Sequence, residues 1–167
     1  MSRVYSIGHS NHPIDRFIAF LHEYDIVAVA DVRSHPYSRW APQFRKKPLA
    51  QALTDAAIEY VFLGNELGGR PQQREYYDGD GRVDYARRAL AEDFVAGIQR
   101  LIARAHDHPT AIMCAEEDPG RCHRHLLIAP SLRSRGVEVV HIRGDGRTQS
   151  ADLTGNRTLP RQLSLFR

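Results

Sequence analysis

The chain has 167 residues, of which 42% are apolar and 26% are charged. That length suits one ordinary domain, and the composition is that of a globular protein, which excludes fibrous and wholly disordered chains. The formal net charge of +3 favours a polyanionic partner without requiring one. The first residues form no basic-then-apolar leader, and no apolar run is long enough to cross a bilayer, so we expect a cytoplasmic protein without a membrane partner.

Short β-rich runs alternate along the chain with segments of helical periodicity. The predicted strands are residues 4–7, 26–32, 60–63, 109–114 and 137–142. The predicted helices are residues 13–24, 48–57, 84–105 and 121–135, and long loops occupy residues 33–47 and 64–81. Repeated strand-then-helix order predicts an α/β fold: a single three-layer domain with an open, mainly parallel sheet of about five strands and helices on both faces.

Polar residues follow every predicted strand. Ligands bind at the carboxyl edge of such a sheet, because the loops converge there and helix amino termini point into the crevice. We therefore expect these side chains to share one cleft, although any single one of them also fits a turn or capping role. They are His9, Ser10 and Asn11, then Asp31, Arg33, Ser34 and His35, then Asn65 and Glu66, then Cys114 and Glu116, and finally Arg143 and Asp145.

Both cysteines lie between Ile112 and Arg124, in a predicted strand end, charged turn and helix start. A cytoplasmic thiol pair is more often catalytic or metal-bound than a structural disulfide. Cys114 is a candidate nucleophile, for which His123 or His9 would act as the base. Arg33, Arg121 and backbone N–H groups of the turn would then stabilise an anion.

Two other chemistries and one structural role fit the same positions. Cys114, Cys122 and His123 are candidate Zn²⁺ ligands, with Asp31 or Glu116 beside a bound water. Alternatively, Asp31 and Glu116, with Arg33, act as general acid and base or bind Mg²⁺ beside a phosphate, and the thiols have a structural role. The thiols also fit a purely structural role as small buried residues. No organic cofactor signature is present, so zinc and magnesium are the cofactors to consider.

We assign roles to these positions as hypotheses. The candidate catalytic residues are His9, Asp31, Arg33, Cys114, Glu116, Cys122, His123 and Arg124. The candidate substrate-binding residues are Ser10, Asn11, Ser34, Asn65, Glu66 and Arg121.

Several short motifs in fixed order resemble the bacterial and archaeal family named "domain of unknown function 488". The matching pieces are residues 6–11 (Ser-Ile-Gly-His-Ser-Asn), Asp31-Val32-Arg33 with Pro36 and Ser38, Leu67-Gly68-Gly69, Cys114-Ala115-Glu116, Cys122-His123-Arg124 and Val140-His141-Ile142. They span most of the chain, and their combination is specific for the family. The family name implies no activity.

A weaker likeness is to rhodanese-type sulfurtransferases, which also combine an Asp-x-Arg strand end with a later loop from a strand to a cysteine and a helix. The acidic run Glu116-Glu117-Asp118 departs from the small residues and bare N–H groups that an anion-cradling loop uses. Arg121 also lies further from Cys114 than such a loop prefers.

The loop from Arg33 to Lys47 interleaves basic and aromatic residues. Charges that follow phosphates and rings that stack on bases are typical of a single-stranded nucleic-acid surface. The other interpretation is a loop whose aromatic rings anchor it in the core. The candidate nucleic-acid-binding residues are Arg39, Trp40, Arg45, Lys46 and Lys47, beside Tyr37 and Phe44.

The chain ends in a peptide that resembles the bacterial sliding-clamp-binding motif. In that motif a Gln, a Leu and a final Leu-Phe pair enter a hydrophobic cleft of the replication clamp, and Gln162, Leu163, Leu165 and Phe166 match them. A tethered peptide with apolar anchors suits such capture. We therefore expect an α/β domain over residues 1–143, a polar flexible tether over 144–161 and a clamp-binding peptide over 162–167. The alternative is a tail that packs on its own domain.

Three functions compete. The first is a nucleic-acid-maintenance enzyme that is recruited by the sliding clamp and acts on a nucleotide, base or phosphodiester in DNA or single-stranded nucleic acid. The second is a rhodanese-like sulfurtransferase or thiol redox enzyme. The third is a clamp-associated adaptor that binds nucleic acid and has no catalytic activity.

Overall fold

A computed structural model describes residues 2–152 of the protein. Its six strands are β1 (Arg3–Gly8), β2 (Ala28–Asp31), β3 (Glu59–Phe62), β4 (Thr110–Cys114), β5 (Glu138–Ile142) and β6 (Thr148–Ser150). They form one sheet in the order β3-β2-β4-β1-β5-β6, in which β1 to β5 are parallel and β6 pairs antiparallel with β5. The predicted α/β fold with a mainly parallel sheet is confirmed, with β6 as an additional edge strand.

Six α-helices connect or flank these strands. They are α1 (Ile14–Glu23), α2 (Lys46–Asp55), α3 (Gly64–Leu67), α4 (Tyr85–Arg88), α5 (Glu92–Asp107) and α6 (Ala129–Arg133). Three short 3₁₀ turns, Pro42–Phe44, Arg74–Tyr76 and Pro119–Arg121, lie in the loops, and a π-helical turn, Arg124–Ile128, leads into α6.

The sheet separates two apolar layers, because successive side chains of a strand point to opposite faces. In β4 the side chain of Ile112 packs with α5 and α6, whereas Met113 packs with α1 and α2. Helix α1 supplies Phe17 and Leu21, whose spacing of four residues places them on one face. Helices therefore cover both faces, and the polar groups of the strand ends are confined to the edge.

Three segments differ in detail from the sequence prediction. The helix expected over 84–105 is divided into α4 and α5. The helix expected over 121–135 is a succession of 3₁₀, π and α turns, since Pro130 lacks the N–H that would bond the Leu126 carbonyl, and the N–H of Ala129 bonds Arg124 instead. Strand β6 lies inside the segment expected to be a tether over 144–161.

No helix in the described part of the chain is both long and apolar enough to cross a lipid bilayer. The predicted clamp-binding peptide over 162–167 lies outside the described residues, as does most of the predicted tether.

Candidate functional site

A cleft of about 830 Å³ opens at the carboxyl edge of the sheet. Its floor is built where β1, β2 and β4 end side by side: the N–H of His9 donates to the Cys114 carbonyl at 2.8 Å, and that of Val32 to the Met113 carbonyl at 3.0 Å. Eight of the predicted site residues line the cleft, namely Ser10, Arg33, Ser34, Cys114, Glu116, Arg121, Cys122 and His123. The cleft therefore lies at the carboxyl edge of the sheet, among residues that follow the strands.

Two thiols and one imidazole meet at the base of the cleft, and we call Cys114, Cys122 and His123 the thiol–imidazole cluster. The Nδ1 atom of His123 lies 3.6 Å from the sulfur of Cys122 and 4.0 Å from that of Cys114. Its Nε2 atom lies 3.0 Å from the carbonyl oxygen of Val32, which can only accept, so Nε2 carries the proton of the neutral ring. Nδ1 consequently presents a lone pair to both sulfurs.

The two thiols are electrostatically unequal. The two sulfurs lie within 4.8 Å of each other, and their mutual interaction raises the pKa of Cys114 and lowers that of Cys122. The positive charge of Arg124 further stabilises a Cys122 thiolate, since its Nε atom lies 3.2 Å from that sulfur. Cys122 is buried, whereas Cys114 is partly exposed at the cleft.

Arg124 holds the acidic turn against the sheet. Its fully buried guanidinium donates to the hydroxyl of Ser6 at 2.8 Å and to the carbonyl oxygen of Glu116. The turn also depends on Gly8, because a Cβ at that position would lie 2.0 Å from the Glu116 carbonyl oxygen. The predicted catalytic residue Arg124 thus lies behind the cleft wall.

Asp31 positions Arg33. One carboxylate oxygen of Asp31 accepts from the Nε atom of Arg33 at 2.9 Å, and the other accepts from its Nη2 atom at 2.8 Å and from the Tyr60 hydroxyl at 2.7 Å. Both oxygens are therefore engaged, which favours a supporting role for Asp31 over acid–base or Mg²⁺ chemistry. Arg33 lines the cleft while this fork-like pairing fixes its orientation.

His9 completes this buried network. Its Nδ1 atom donates to the carbonyl of Ser10 at 2.7 Å, and its Nε2 atom accepts from Arg33 Nη1 at 3.2 Å. Burial lowers the pKa of His9 to about 4, helped by the positive charge of Arg33. The ring also stacks on Phe44 with 4.4 Å between centroids. A neutral imidazole fixed in this way orients Arg33.

A family model described as "Domain of unknown function DUF488" matches residues 13–129, which is more than half of the chain. The chain belongs to this family. The match covers β2, β4 and the thiol–imidazole cluster, which agrees with the resemblance seen in the sequence motifs. No curated protein and no solved structure gives a significant match.

Four residues that do not directly follow a predicted strand also line the cleft of this DUF488 domain. The loop after α3 contributes Arg70, Arg82 and Tyr77, and Tyr85 follows from α4. An isolated antiparallel bridge between Tyr77 and Val83 folds this loop back on itself. The only signal in the sequence was the length of the polar loop over 64–81.

Three predicted substrate-binding residues of the DUF488 domain are not among the cleft-lining residues. Glu66 instead pairs with Arg100 of α5 at 2.8 Å. Asn65 is exposed beside it, and Asn11 is exposed in the turn between β1 and α1. Helix α3 begins at Gly64, with only Leu63 between it and the end of β3 at Phe62, and packs against α5, so that Glu66 contacts Arg100 of α5.

The basic loop of the DUF488 domain combines both interpretations of its aromatic residues. Phe44 is fully buried and packs edge-on against Phe17 of α1, so it anchors the loop. Tyr37 and Trp40 are 65% and 80% exposed, and Tyr37 also lines the cleft. Each exposed ring has a guanidinium over it: Arg45 lies 4.5 Å from the Tyr37 centroid and Arg39 lies 5.2 Å from that of Trp40. Nucleic-acid binding by Arg39, Trp40, Arg45, Lys46 and Lys47 stays a prediction.

Proposed function

We propose that this DUF488 protein is a nucleic-acid-maintenance enzyme that holds a phosphate-bearing strand or nucleotide in the strand-end cleft. The chemistry would take place at the thiol–imidazole cluster. One observation carries the proposal: the cluster and four arginines, Arg33, Arg70, Arg82 and Arg121, line the same cleft. Guanidinium groups bind phosphate oxygens through paired hydrogen bonds, and a reactive centre among them suits an anionic substrate.

The charges of the cleft support an anionic ligand. Within residues 2–152, Arg70, Arg82 and Arg121 form no ion pair with another residue. The Nε atom of Arg82 is buried and has no hydrogen-bond partner in that part of the chain. Of the two carboxylates that line the cleft, that of Glu117 is paired with Arg143 at 2.9 Å. The guanidinium groups of Arg70, Arg82 and Arg121 are therefore available to bind a phosphate in the cleft.

The basic loop supports nucleic acid over a small anion. No acidic residue occurs between Asp31 and Asp55, whereas both lysines of the chain and several arginines do. Tyr37 is exposed and lines the cleft, where a base that follows a bound phosphate would stack on its ring, and Trp40 offers a second exposed ring three residues further along the same loop. The spacing of charges and rings suits a single strand better than a duplex, whose bases are already stacked.

Fluorescence anisotropy with a short, labelled single-stranded oligonucleotide tests this proposal. We expect Trp40→Ala and the pair Arg70→Gln with Arg121→Gln each to weaken binding by about 10-fold, because one stacked base contributes about 1 to 3 kcal/mol. Leu90→Ala is the matched control for the aromatic change, since Leu90 is 82% exposed. Arg135→Gln is the control for charge. Equal binding by all variants, or no binding at low salt, would contradict the proposal.

A thiol enzyme for a small anionic substrate is the second candidate, and the contacts of Cys122 favour it. Arg124 and His123 both approach its sulfur, as expected for a nucleophilic or redox-active thiolate. This candidate requires free thiols, so Cys122 would react with an alkylating reagent faster near neutral pH than an ordinary cysteine. Slow alkylation of both cysteines in the purified protein would contradict it.

We further propose that the sliding clamp recruits the enzyme through Gln162, Leu163, Leu165 and Phe166. The support is the match of these side chains to the clamp-binding pattern. The non-catalytic adaptor is the alternative that remains if the protein binds clamp and nucleic acid while substitution of the thiol–imidazole cluster changes no nucleic-acid product.

A further inference from the structure

The three side chains of the thiol–imidazole cluster have the donor atoms of a zinc site. The sulfurs of Cys114 and Cys122 and the Nδ1 atom of His123 all lie within 4.8 Å of one another. A tetrahedral Zn²⁺ ion with bonds of about 2.3 Å to sulfur and about 2.0 Å to nitrogen holds its sulfur and nitrogen ligands about 3.5 Å apart. The observed sulfur-to-nitrogen separations of 3.6 and 4.0 Å require a contraction of at most about 0.5 Å, and the two sulfurs, which lie within 4.8 Å of each other, would approach to about 3.8 Å around the ion.

We propose that Cys114, Cys122 and His123 bind one Zn²⁺ ion and leave its fourth coordination position open to the cleft. This inference rests on the proposed function for its biological meaning, because it names the group that would act on the substrate there. The metal site itself stands on the geometry of the three ligands alone.

The surroundings of His123 fit a metal ligand. A ligating imidazole usually donates its other N–H to a carbonyl or carboxylate, which fixes the ring and directs its lone pair. The Nε2–H···O=C bond to Val32 does this, and it turns Nδ1 toward both sulfurs. Gly69 packs against the ring so closely that a Cβ there would lie 2.9 Å from Nδ1. The ring therefore has little freedom to leave this position.

The surroundings of the sulfurs also fit. Two thiolates bring two negative charges into a largely buried position, and the Nε atom of Arg124 donates to one of them at 3.2 Å. Such N–H···S bonds stabilise thiolate ligands from outside the coordination sphere. Two sulfurs and one imidazole favour zinc over Mg²⁺, which prefers oxygen ligands. The oxygens that magnesium would need on Asp31 are occupied by Arg33 and Tyr60.

Three protein ligands and one open position are typical of catalytic zinc, whereas structural sites are closed by a fourth ligand. All three ligands line the cleft, so the open position would face the substrate. A Zn²⁺ ion held by these three residues would supply Lewis-acid chemistry at the base of the cleft. Glu116, two residues after Cys114, lines the same wall and is the carboxylate closest in sequence to that position.

Cobalt substitution tests the site on the full chain. The metal is removed with a chelator, Co²⁺ is titrated back, and the sulfur-to-cobalt charge-transfer band is followed. We expect one Co²⁺ per chain, displaced by one Zn²⁺. Cys114→Ser, Cys122→Ser and His123→Ala should each weaken Zn²⁺ affinity by more than about 100-fold, because the loss of even an outer-sphere partner costs about 10- to 100-fold. His35→Ala is the control, since His35 is exposed and lines the same cleft.

A second measurement needs no variant. Zn²⁺ should protect both thiols of the wild-type protein from alkylation at one equivalent per chain. Unprotected thiols, no charge-transfer band, or unchanged metal binding in all three folded variants would overturn the zinc site. Failure of the proposed function is a separate result: a protein that binds one Zn²⁺ and no oligonucleotide would retain the metal site and lose the nucleic-acid substrate.

Discussion

The Nε2 atom of His123 lies 3.0 Å from the carbonyl oxygen of Val32, and this one bond connects the turn before the π-helical segment to the end of β2. Val32 directly follows Asp31, whose carboxylate orients Arg33. The same short stretch of backbone therefore fixes both the imidazole of the thiol–imidazole cluster and an arginine of the cleft. The thiol–imidazole cluster and the guanidinium of Arg33 are therefore positioned by the same segment at the end of β2.

Replacement of His123 by Phe should destabilise the fold. The substitution leaves the buried carbonyl of Val32 without its donor, and an unsatisfied buried group costs about 1 to 3 kcal/mol. Urea unfolding in the presence of a chelator measures the change without any contribution from metal. His35→Phe, at an exposed position, should change the free energy of unfolding by less than about 0.5 kcal/mol. Equal stability of the two variants would argue against the bond.

The substitution Gly8→Ala should displace the acidic turn that forms one wall of the cleft. The alanine Cβ would lie 2.0 Å from the carbonyl oxygen of Glu116, so the acidic turn has to move away from β1. We expect a loss of about 3 kcal/mol, at the upper end of the usual cost of overpacking. Gly79→Ala is the matched control, because a Cβ at Gly79 meets no atom within 4 Å. Thermal or urea unfolding that does not distinguish the two variants would contradict the close approach.

His141 should make the protein less stable in mild acid. Burial lowers its pKa from 6.5 to about 3, the positive charges of Arg124, His125 and Arg143 act in the same direction, and Cys122 acts in the opposite direction. Between those pKa values the unfolded chain binds a proton that the folded chain does not. Stability is therefore complete above about pH 6.5 and decreases as the pH falls, by about 2 kcal/mol between about pH 7 and pH 5.

Urea unfolding at several pH values, with a chelator present, measures this dependence. His141→Phe should reduce the slope of the curve to about half, whatever its effect on stability at neutral pH, because buried His9, whose pKa is lowered to about 4, supplies a similar slope. His108→Gln, at an exposed position, should leave the curve unchanged. A wild-type stability that is constant over this range would contradict the assignment of a neutral, buried His141.

Phe166→Ala should abolish most binding to a purified sliding clamp. A buried aromatic anchor typically contributes about 2 kcal/mol to an interface, so the affinity should fall by about 30-fold. Surface plasmon resonance with the full chain measures it. Leu159→Ala, in the same tail and before the matched peptide, is the control. If both variants bind the clamp as the wild type does, the tail has no role in recruitment.

The fold and the place of the cleft were predictable because both follow from local patterns. Alternating residues such as Ile112 and Met113 must face different layers, and parallel strands must end at one edge, so Asp31 lies beside Met113, the residue before Cys114, at that edge. Pro130 likewise accounts locally for the π-helical turn that precedes α6, because it lacks the N–H of a regular helix.

The remaining features depend on tertiary structure. Arg70 and Arg82 reach the cleft because their loop folds back through the bridge between Tyr77 and Val83, and no local pattern specifies that path. Asn65 and Glu66 follow a strand as the edge argument requires, yet the immediate start of α3 directs Glu66 to α5. The division of the loop aromatics into one buried anchor and two exposed rings likewise depends on which rings α1 has room to cover.

A crystal structure of the protein with a short single-stranded oligonucleotide tests the proposed function most directly. We predict a backbone phosphate within about 3 Å of the guanidinium of Arg70 or Arg121, beside the thiol–imidazole cluster, and a base stacked on Tyr37 or Trp40. An oligonucleotide bound away from the cleft, or a cleft that accepts only small anions from the same solution, would contradict the nucleic-acid function.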